Sequence, residues 1–361
     1  MRGRDDRIPR RAALLRLAGL SGGFFATNRA VAGQGACLEG QTIGWLVGYS
    51  PGGGYDAYAR LIEPFLEEAL GARVVVRNLP GAAGAVALRT LADARPDGRT
   101  LGIFDGPGAL WASASSERDA PDPERDLTLL GRVACLQHTL VTGPRSGVKT
   151  VAGLVESGRR RRLVFGATST ASQNFVSCAV VGHLLGIDAD FVVGYPGSRE
   201  LTLALVRGDF DAMSISIESV VDVLGADRLT PLLLATSRPL SHPELDAVPR
   251  LRGESGLLRQ RPDLFDADPA EADGLAAAIE TYLDFGRVIA APARLAAPLR
   301  RCLEQGVIAA LRDPALEAAA QRAGRTLDIA DASRVRASVA AARAAVARIV
   351  PIAAEAARRA R

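Results

Sequence analysis

The feature that most constrains this chain is a recurring unit: a short apolar run, a turn of small residues, then a helical pattern. Thr42–Gly48 reads as a strand, Gly52-Gly53-Gly54 as a turn, and Asp56 precedes a helix whose apolar positions Ile62, Phe65, Leu66, Ala69 and Leu70 share one face. Pro64 inside that pattern predicts a kink. Gly71 ends the helix and Arg73–Val76 is the next strand. Pro80-Gly81-Ala82-Ala83-Gly84 is a second turn, leading into a helix through Leu88 and Leu91. Arg95-Pro96-Asp97-Gly98 closes that helix, and Thr100–Phe104 is a third strand. Strands that alternate with helices imply a parallel sheet with right-handed crossovers.

The same order returns further along. Arg162–Phe165 is a strand, Ala167–Gln173 a polar turn, and a helix runs to Leu185. Asp190–Val193 is a strand, followed by Tyr195-Pro196-Gly197-Ser198 and a helix to Val206; Asp211–Ile217 and Leu232–Ala235 are further strands. The fold class is therefore α/β, in two βαβ blocks at roughly 40–140 and 145–230. A strand at Arg287–Ala290 and alanine-rich helices from Leu295 onward follow, and the stretch 252–275, rich in Pro, Asp and Arg, reads as an irregular insert.

A small-residue turn between strand and helix leaves the first helical N–H groups unpaired, and these donors with the helix dipole favour an anion. One terminus contributes only ~0.3–1 kcal/mol at an exposed site, whereas micromolar binding needs about 8 kcal/mol, so several turns must converge in a dry cleft. Neither glycine turn is a nucleotide fingerprint: Pro51-Gly52-Gly53-Gly54 lacks the GxGxxG spacing, and there is no P-loop lysine.

Charge excludes one class of partner. Residues 1–32 hold seven arginines against two acids, leaving 37 basic and 38 acidic residues in the remainder. The basic character belongs to the leader, and the body offers no electrostatic case for nucleic acid. In that leader, Arg10-Arg11 precede the weakly apolar Ala12–Ala26, and Ala30-Val31-Ala32 supplies small residues for a signal peptidase, an export signal of twin-arginine type. Export places the mature chain in the periplasm. Cys37 follows Gly35-Ala36 as in a lipoprotein, but Gln34 stands where an aliphatic residue is needed, so acylation is not expected. Cys37, Cys135, Cys178 and Cys302 are far apart and form no CxxC or zinc spacing; buried thiols are the default reading, a disulfide is permitted outside the cytoplasm, and sequence does not pair them. No metal or cofactor is expected.

Taken in order, these segments resemble the Bug (TctC-like) family, the extracytoplasmic receptors of tripartite tricarboxylate transporters. The resemblance is carried by Val47-Gly48-Tyr49-Ser50-Pro51-Gly52-Gly53-Gly54-Tyr55-Asp56, by Val74-Val75-Val76-Arg77-Asn78-Leu79-Pro80-Gly81-Ala82-Ala83-Gly84, and by Pro96-Asp97-Gly98-Arg99-Thr100-Leu101. Further echoes are Gly147-Val148-Lys149-Thr150, Tyr195-Pro196-Gly197-Ser198, Arg207–Met213 and Phe285-Gly286-Arg287 with Ala291-Pro292. It implies a type II periplasmic-binding-protein fold, two α/β lobes joined by crossover strands, with lobe 1 at 40–141 and 237–361 and lobe 2 at 142–236. It implies a monomer that captures a small organic carboxylate and hands it to membrane permease subunits. Carried over, the first-lobe contacts are Tyr49, Ser50, Gly53, Gly54 and Asp56; the second-lobe contacts are Thr168, Ser169, Thr170, Ser172, Asn174 and Asp211. The chain departs from the family at Gly48 and Tyr55, and in Thr168–Asn174, where hydroxyl and amide side chains replace glycines and a histidine.

Several residues have plainer readings. Asp56 near a helix start is a capping residue as readily as a ligand contact, Asp211 lines a cleft or ends a strand, and Tyr49 clamps ligand or packs between lobes. His138, His183 and His242 are scattered, and no HExxH or G-x-S-x-G motif is present. Two alternatives stay open: a ligand sensor docking on a membrane signalling kinase, and a hydrolase or lyase with Ser50 as nucleophile beside the glycine turn.

Overall fold

The computed structural model describes residues 37–115, 120–224, 229–236, 238–240 and 242–360. The export signal, its arginine pair and Ala30-Val31-Ala32 lie outside the described residues.

In β1 (Thr42–Val47), Ile43, Trp45 and Val47 are fully buried in one apolar cluster, while Leu46 faces a second cluster. This is the two-residue period of a strand covered by helices on both faces. α1 (Gly54–Leu70) buries Tyr58, Ile62, Leu66 and Leu70, continues through Pro64, and ends at Gly71 in the left-handed region, φ 64°. β2 (Arg73–Asn78), α2 (Ala85–Ala92), β3 (Thr100–Asp105) and α3 (Gly106–Ala114) complete the first run. β1 pairs in parallel with β2 and β3, as the alternation predicts.

Three strands were not legible: two at the passage between the sheets and the two-residue strand Ala330–Asp331. β4 (Leu127–Ala134) stays in the first sheet; β5 (His138–Thr142) enters the second. The passage between sheets therefore falls between Ala134 and His138, a few residues ahead of the expected 142. The second sheet is built from α4 (Val151–Arg160), β6 (Leu163–Gly166), α5 (Gln173–Leu184), β7 (Ala189–Val192), α6 (Ser198–Arg207), β8 (Ala212–Ser216), α7 (Ile217–Leu224) and β9 (Thr230–Ala235). Its order is β7-β6-β8-β5-β9, with β6 parallel to β7 and β8, and β5 antiparallel to β8 and β9.

The stretch read as an irregular insert holds a short helix, α8 (Leu257–Gln260), and its last residues open α9 (Pro269–Asp284). Asp268 caps α9 through the Ala270 and Glu271 amides, and Pro269 sits at its first position, a start signal the Pro/Asp composition concealed. β10 (Arg287–Pro292) then returns to the first sheet, antiparallel between β3 and β4. The six-stranded order is β11-β4-β10-β3-β1-β2 once α10 (Ala297–Leu311), α11 (Pro314–Arg322) and β11 (Ala330–Asp331) are added. Both sheets are thus mixed, because each accepts antiparallel strands from the chain crossing between lobes.

α12 (Ala332–Ala357) is long and apolar enough by composition to span a membrane, but Val335, Val339, Ala342, Val346, Ile349 and Ala353 form a buried stripe at alternating four- and three-residue spacing. That stripe packs on α9, α5, α3 and β4, so one helix braces both lobes.

Two of the four cysteines are not thiols: Cys37 is bonded to Cys302 in α10, while Cys135 and Cys178 are free and buried. The bridge ties the segment ahead of β1 to a helix 265 residues later. Closing so long a loop restricts the unfolded chain, worth roughly 2–4 kcal/mol. Cys302→Ser is expected to lower Tm by several degrees in a thermal melt, and reduction of the wild-type chain to do the same.

Candidate functional site

Gly48 ends β1, and a Cβ there would lie 2.5 Å from the Gly84 Cα. The two glycine loops therefore touch backbone to backbone. The second loop runs through positive φ at Gly81, Ala82, Ala83 and Gly84 (142°, 46°, 51° and 94°). Two alanines in the left-handed region cost on the order of 1–3 kcal/mol each. The conformation presents the Ala83 carbonyl to the Tyr49 hydroxyl, which donates to it at 2.9 Å. The longest family-like motif thus holds Tyr49 in place. Gly48→Ala is expected to cost 1–3 kcal/mol in a denaturant melt, since the clash is with backbone.

Tyr49 is buried and stacks on Tyr55 with ring centroids 4.7 Å apart. Cavities lie on both sides of it. One, about 40 Å³, is walled by aliphatic residues of β1, α2, β3 and α3. The other, about 30 Å³, is polar and lies between the lobes. Gly54 and Tyr55 from the start of α1, Gln173 and Asn174 from the start of α5, Ser198 from the start of α6 and Ser219 from the first turn of α7 line it. Four helix N-termini from two lobes converge on it. Each favours an anion by roughly 0.3–1 kcal/mol, and Asp56, Glu200 and Glu218 in the first turns of α1, α6 and α7 with Asp105 at the α5 start already draw on them, so the termini supply only part of the about 8 kcal/mol of micromolar binding.

The remaining wall is made of side chains. His138 is fully buried; its Nδ1 lies 3.2 Å from the Ser214 hydroxyl and its Nε2 has no partner among the described residues. Burial, with the nearby Arg287 charge, pushes its pKa down to about 3, so the ring is neutral. Arg287, 2% exposed, lies under two aromatic faces, 5.3 Å from the Tyr55 ring centre and 4.6 Å from that of Tyr58. The Tyr55 hydroxyl and Gln173 Oε1 are also buried without partners.

Asp105 ends β3 at the position paired with Arg287 of β10. It caps α3 by accepting from the Gly108 amide at 3.1 Å and receives the Gln173 amide at the start of α5, across the lobes, at 3.4 Å. Burial lifts its pKa to about 6, against the pull of those amides and of Arg287. A raised carboxyl pKa means the native state holds the proton more tightly than the unfolded chain. This contribution is full below about pH 4 and is lost as pH rises through 6. The depressed His138 pKa acts oppositely, destabilising the fold as pH falls below about 6.5. Because that term is common to both proteins, the Tm of Asp105→Asn minus that of wild type is expected to be near zero at pH 4 and to grow positive by pH 7.

Other contacts hold the lobes together at the mouth. The Ser50 hydroxyl donates to the Glu200 carboxylate at 3.0 Å, the Gly54 amide to the Ser198 hydroxyl at 3.5 Å, and Arg325 pairs with Asp222 at 2.7 Å.

Of the residues expected in the site, Tyr49, Gly54, Thr168 and Asn174 line the polar cavity. Gly53 does not; a Cβ on it would meet the Ser198 hydroxyl at 3.6 Å, an ordinary contact distance, so its place is beside the cavity. Ser50 is engaged by Glu200. Asp56 lies outside the lining: its carboxylate accepts from the Gly52 amide, Arg60 and Asn78, and it shapes the loop from behind. Asp211 also lies outside it, held by Arg161 and the Val164 amide. Ser172 caps α5 through the Phe175 amide, and Ser169 accepts from the Ala171 amide; neither they nor Thr170 lines the cavity. Tyr55, His138, Gln173, Ser198, Ser216, Ser219 and Arg287 were missed. Ser198 and Arg287 stood within family-like segments, which was the available signal.

Two α/β lobes facing each other across a polar cavity at their helix starts are the type II periplasmic-binding-protein fold. The chain belongs to the tripartite tricarboxylate transporter receptor family, TctC, whose sequence model matches residues 58–257. It is 26% identical over 219 residues to a UPF0065 protein of Bordetella bronchiseptica, a match covering 60% of this chain and 65%, just under two thirds, of that relative. Among solved structures, MatC of Rhodopseudomonas palustris with bound malate superposes with a TM-score of 0.67 at 22% identity, covering 85% of this chain and 99% of that one. R. palustris Rpa4515 with adipate gives a TM-score of 0.71 at 22% identity, covering 87% and 97%. At these identities the structures establish the shared fold.

Proposed function

We propose that this protein is an extracytoplasmic receptor that captures a small organic carboxylate between its lobes for a tripartite tricarboxylate-type transporter, without altering it. The observation that carries this reading is the convergence of four helix N-termini from both lobes on one buried polar cavity. Such a site suits an acid group because helix starts from both lobes surround it and their dipoles favour negative charge. Relatives of the same fold hold malate and adipate, as their names state.

At about 30 Å³ the cavity holds on the order of two waters and is far below the roughly 300–1,000 Å³ of ligand pockets. A carboxylate therefore enters when the lobes part, and the cross-lobe hydrogen bonds at the mouth reform around it. Those at Gly54–Ser198 and Asp105–Gln173 are long, 3.5 and 3.4 Å, and give way at small cost.

Lobe 1 in this reading is 40–141 with 237–361 and lobe 2 is 142–236, adjusted so that β5 joins the second sheet. The disulfide between Cys37 and Cys302 suits an oxidising compartment and leaves the Cys37 sulfur bonded, not free for a lipid anchor. The receptor acts as an exported monomer and delivers its ligand to membrane permease subunits.

Ligand binding to the native state raises Tm with dose. In a thermal-shift screen with malate, adipate, citrate and benzoate, at least one is expected to raise Tm by several degrees at millimolar concentration. A flat response to all four would contradict the reading, as would turnover of the bound acid.

A further inference from the structure

The strongest unexplained feature of the molecule is a charge. The Arg287 guanidinium is buried, yet its Nε and Nη1 have no hydrogen-bond partner among the described residues. Its one ion-pair partner among the described residues is Glu218, with Nη2 and Oε2 3.7 Å apart, beyond hydrogen-bond reach, while Asp105, paired with it across β3 and β10, is a second carboxylate that feels its charge. Glu218 is under-satisfied in turn. Its Oε2 has no hydrogen bond, and its Oε1 competes with the Thr326 carbonyl for the single proton of the Tyr58 hydroxyl, at 3.2 against 2.7 Å.

A buried ion pair so poorly bonded is a burden on stability, since desolvating both charges is not offset by good geometry. Arg287 is nevertheless held firmly: the Tyr55 and Tyr58 rings cover it, and β10 fixes its backbone between β3 and β4. It lines the polar cavity, as do the unpartnered His138 Nε2 and Tyr55 hydroxyl. Both forks of the guanidinium, Nε with Nη2 and Nη1 with Nη2, include Nη2, the nitrogen turned toward Glu218, so a carboxylate that binds bidentate meets Glu218 as a competitor.

From this geometry we infer that Arg287 binds an acid group of the ligand directly, and that Glu218 is a resident competitor that sets how much negative charge the site accepts. This rests on the carboxylate-receptor reading and adds a side-chain determinant of specificity to its main-chain donors. On binding, the ligand carboxylate takes Nη2 together with Nε or Nη1 and displaces the Glu218 contact. The pair then carries one net negative charge more than before, which the four helix N-termini offset. Glu218 thereby penalises each further charge on the ligand.

The two partners are predicted to have opposite effects, which a merely structural ion pair would not show. Binding of malate and adipate is measured by calorimetry on wild type, Arg287→Gln, Glu218→Gln and the double variant, with circular dichroism and melts confirming the fold. Arg287→Gln is expected to weaken binding at least about 30-fold, the scale of truncating one buried charged partner. Glu218→Gln is expected to tighten it several-fold, because the guanidinium loses its competitor. The double variant removes the stranded charge that could unfold Arg287→Gln, and it is expected to fold and still bind at least about 30-fold more weakly than wild type. A double variant binding as tightly as wild type overturns the assignment of Arg287. Glu218→Gln binding equally or more weakly overturns the competitor role. In both cases wild type still binds and the receptor reading stands; a wild type that binds neither acid takes down both.

Discussion

Four helices that begin at one small space create a constraint the rest of the molecule must accommodate. Their first-turn N–H groups have no partners within the helices, and crowding four such ends together concentrates partial positive charge where water has little room. The structure meets this by lodging Asp105 between two helix starts, by setting Ser198 against Gly54, and by leaving a polar cavity between them. Mixed sheets follow from the same need: crossover strands β5 and β10 bring the two lobes' helix starts face to face.

The site is positioned from behind. Gly48 and Gly84 let two loops touch, the strained alanines between Gly81 and Gly84 aim a carbonyl at Tyr49, and Tyr49 in turn stacks on Tyr55 beside Arg287. Asp56 does comparable work, gathering the Gly52 amide, Arg60 and Asn78 so that the first loop keeps its shape. A strained loop is retained when the surrounding contacts over-determine it, and here those contacts fix an aromatic wall of the cavity.

Much of the fold was legible because β1, β2, β6 and β7 are apolar runs followed by small-residue turns, and that punctuation survives in sequence, whereas β3 and β8 pass straight into α3 and α7, which were not read. The crossover strands β4 and β5 lack the punctuation, and α9 began inside a Pro/Asp stretch that resembles a loop. The site was half legible. Tyr49, Gly54, Thr168 and Asn174 follow strands in sequence order, whereas Arg287 reaches the cavity only because β10 pairs with β3, a contact between residues 287 and 105 that no local pattern encodes. Asp56 and Asp211 stand apart from the cavity, each with its carboxylate already held; a carboxylate beside a turn looks free until its partners are seen. For Asp56 one partner, Arg60, stood four residues away in the same helix.

The central claim is that an acid group completes the cavity between the lobes. A crystal structure grown with adipate tests it most directly. The account predicts density for a carboxylate among Gly54, Asn174, Ser198 and Arg287, with both lobes closed on it. Ligand bound on an outer surface, or a cavity filled only by water while the acid lies elsewhere, would contradict it.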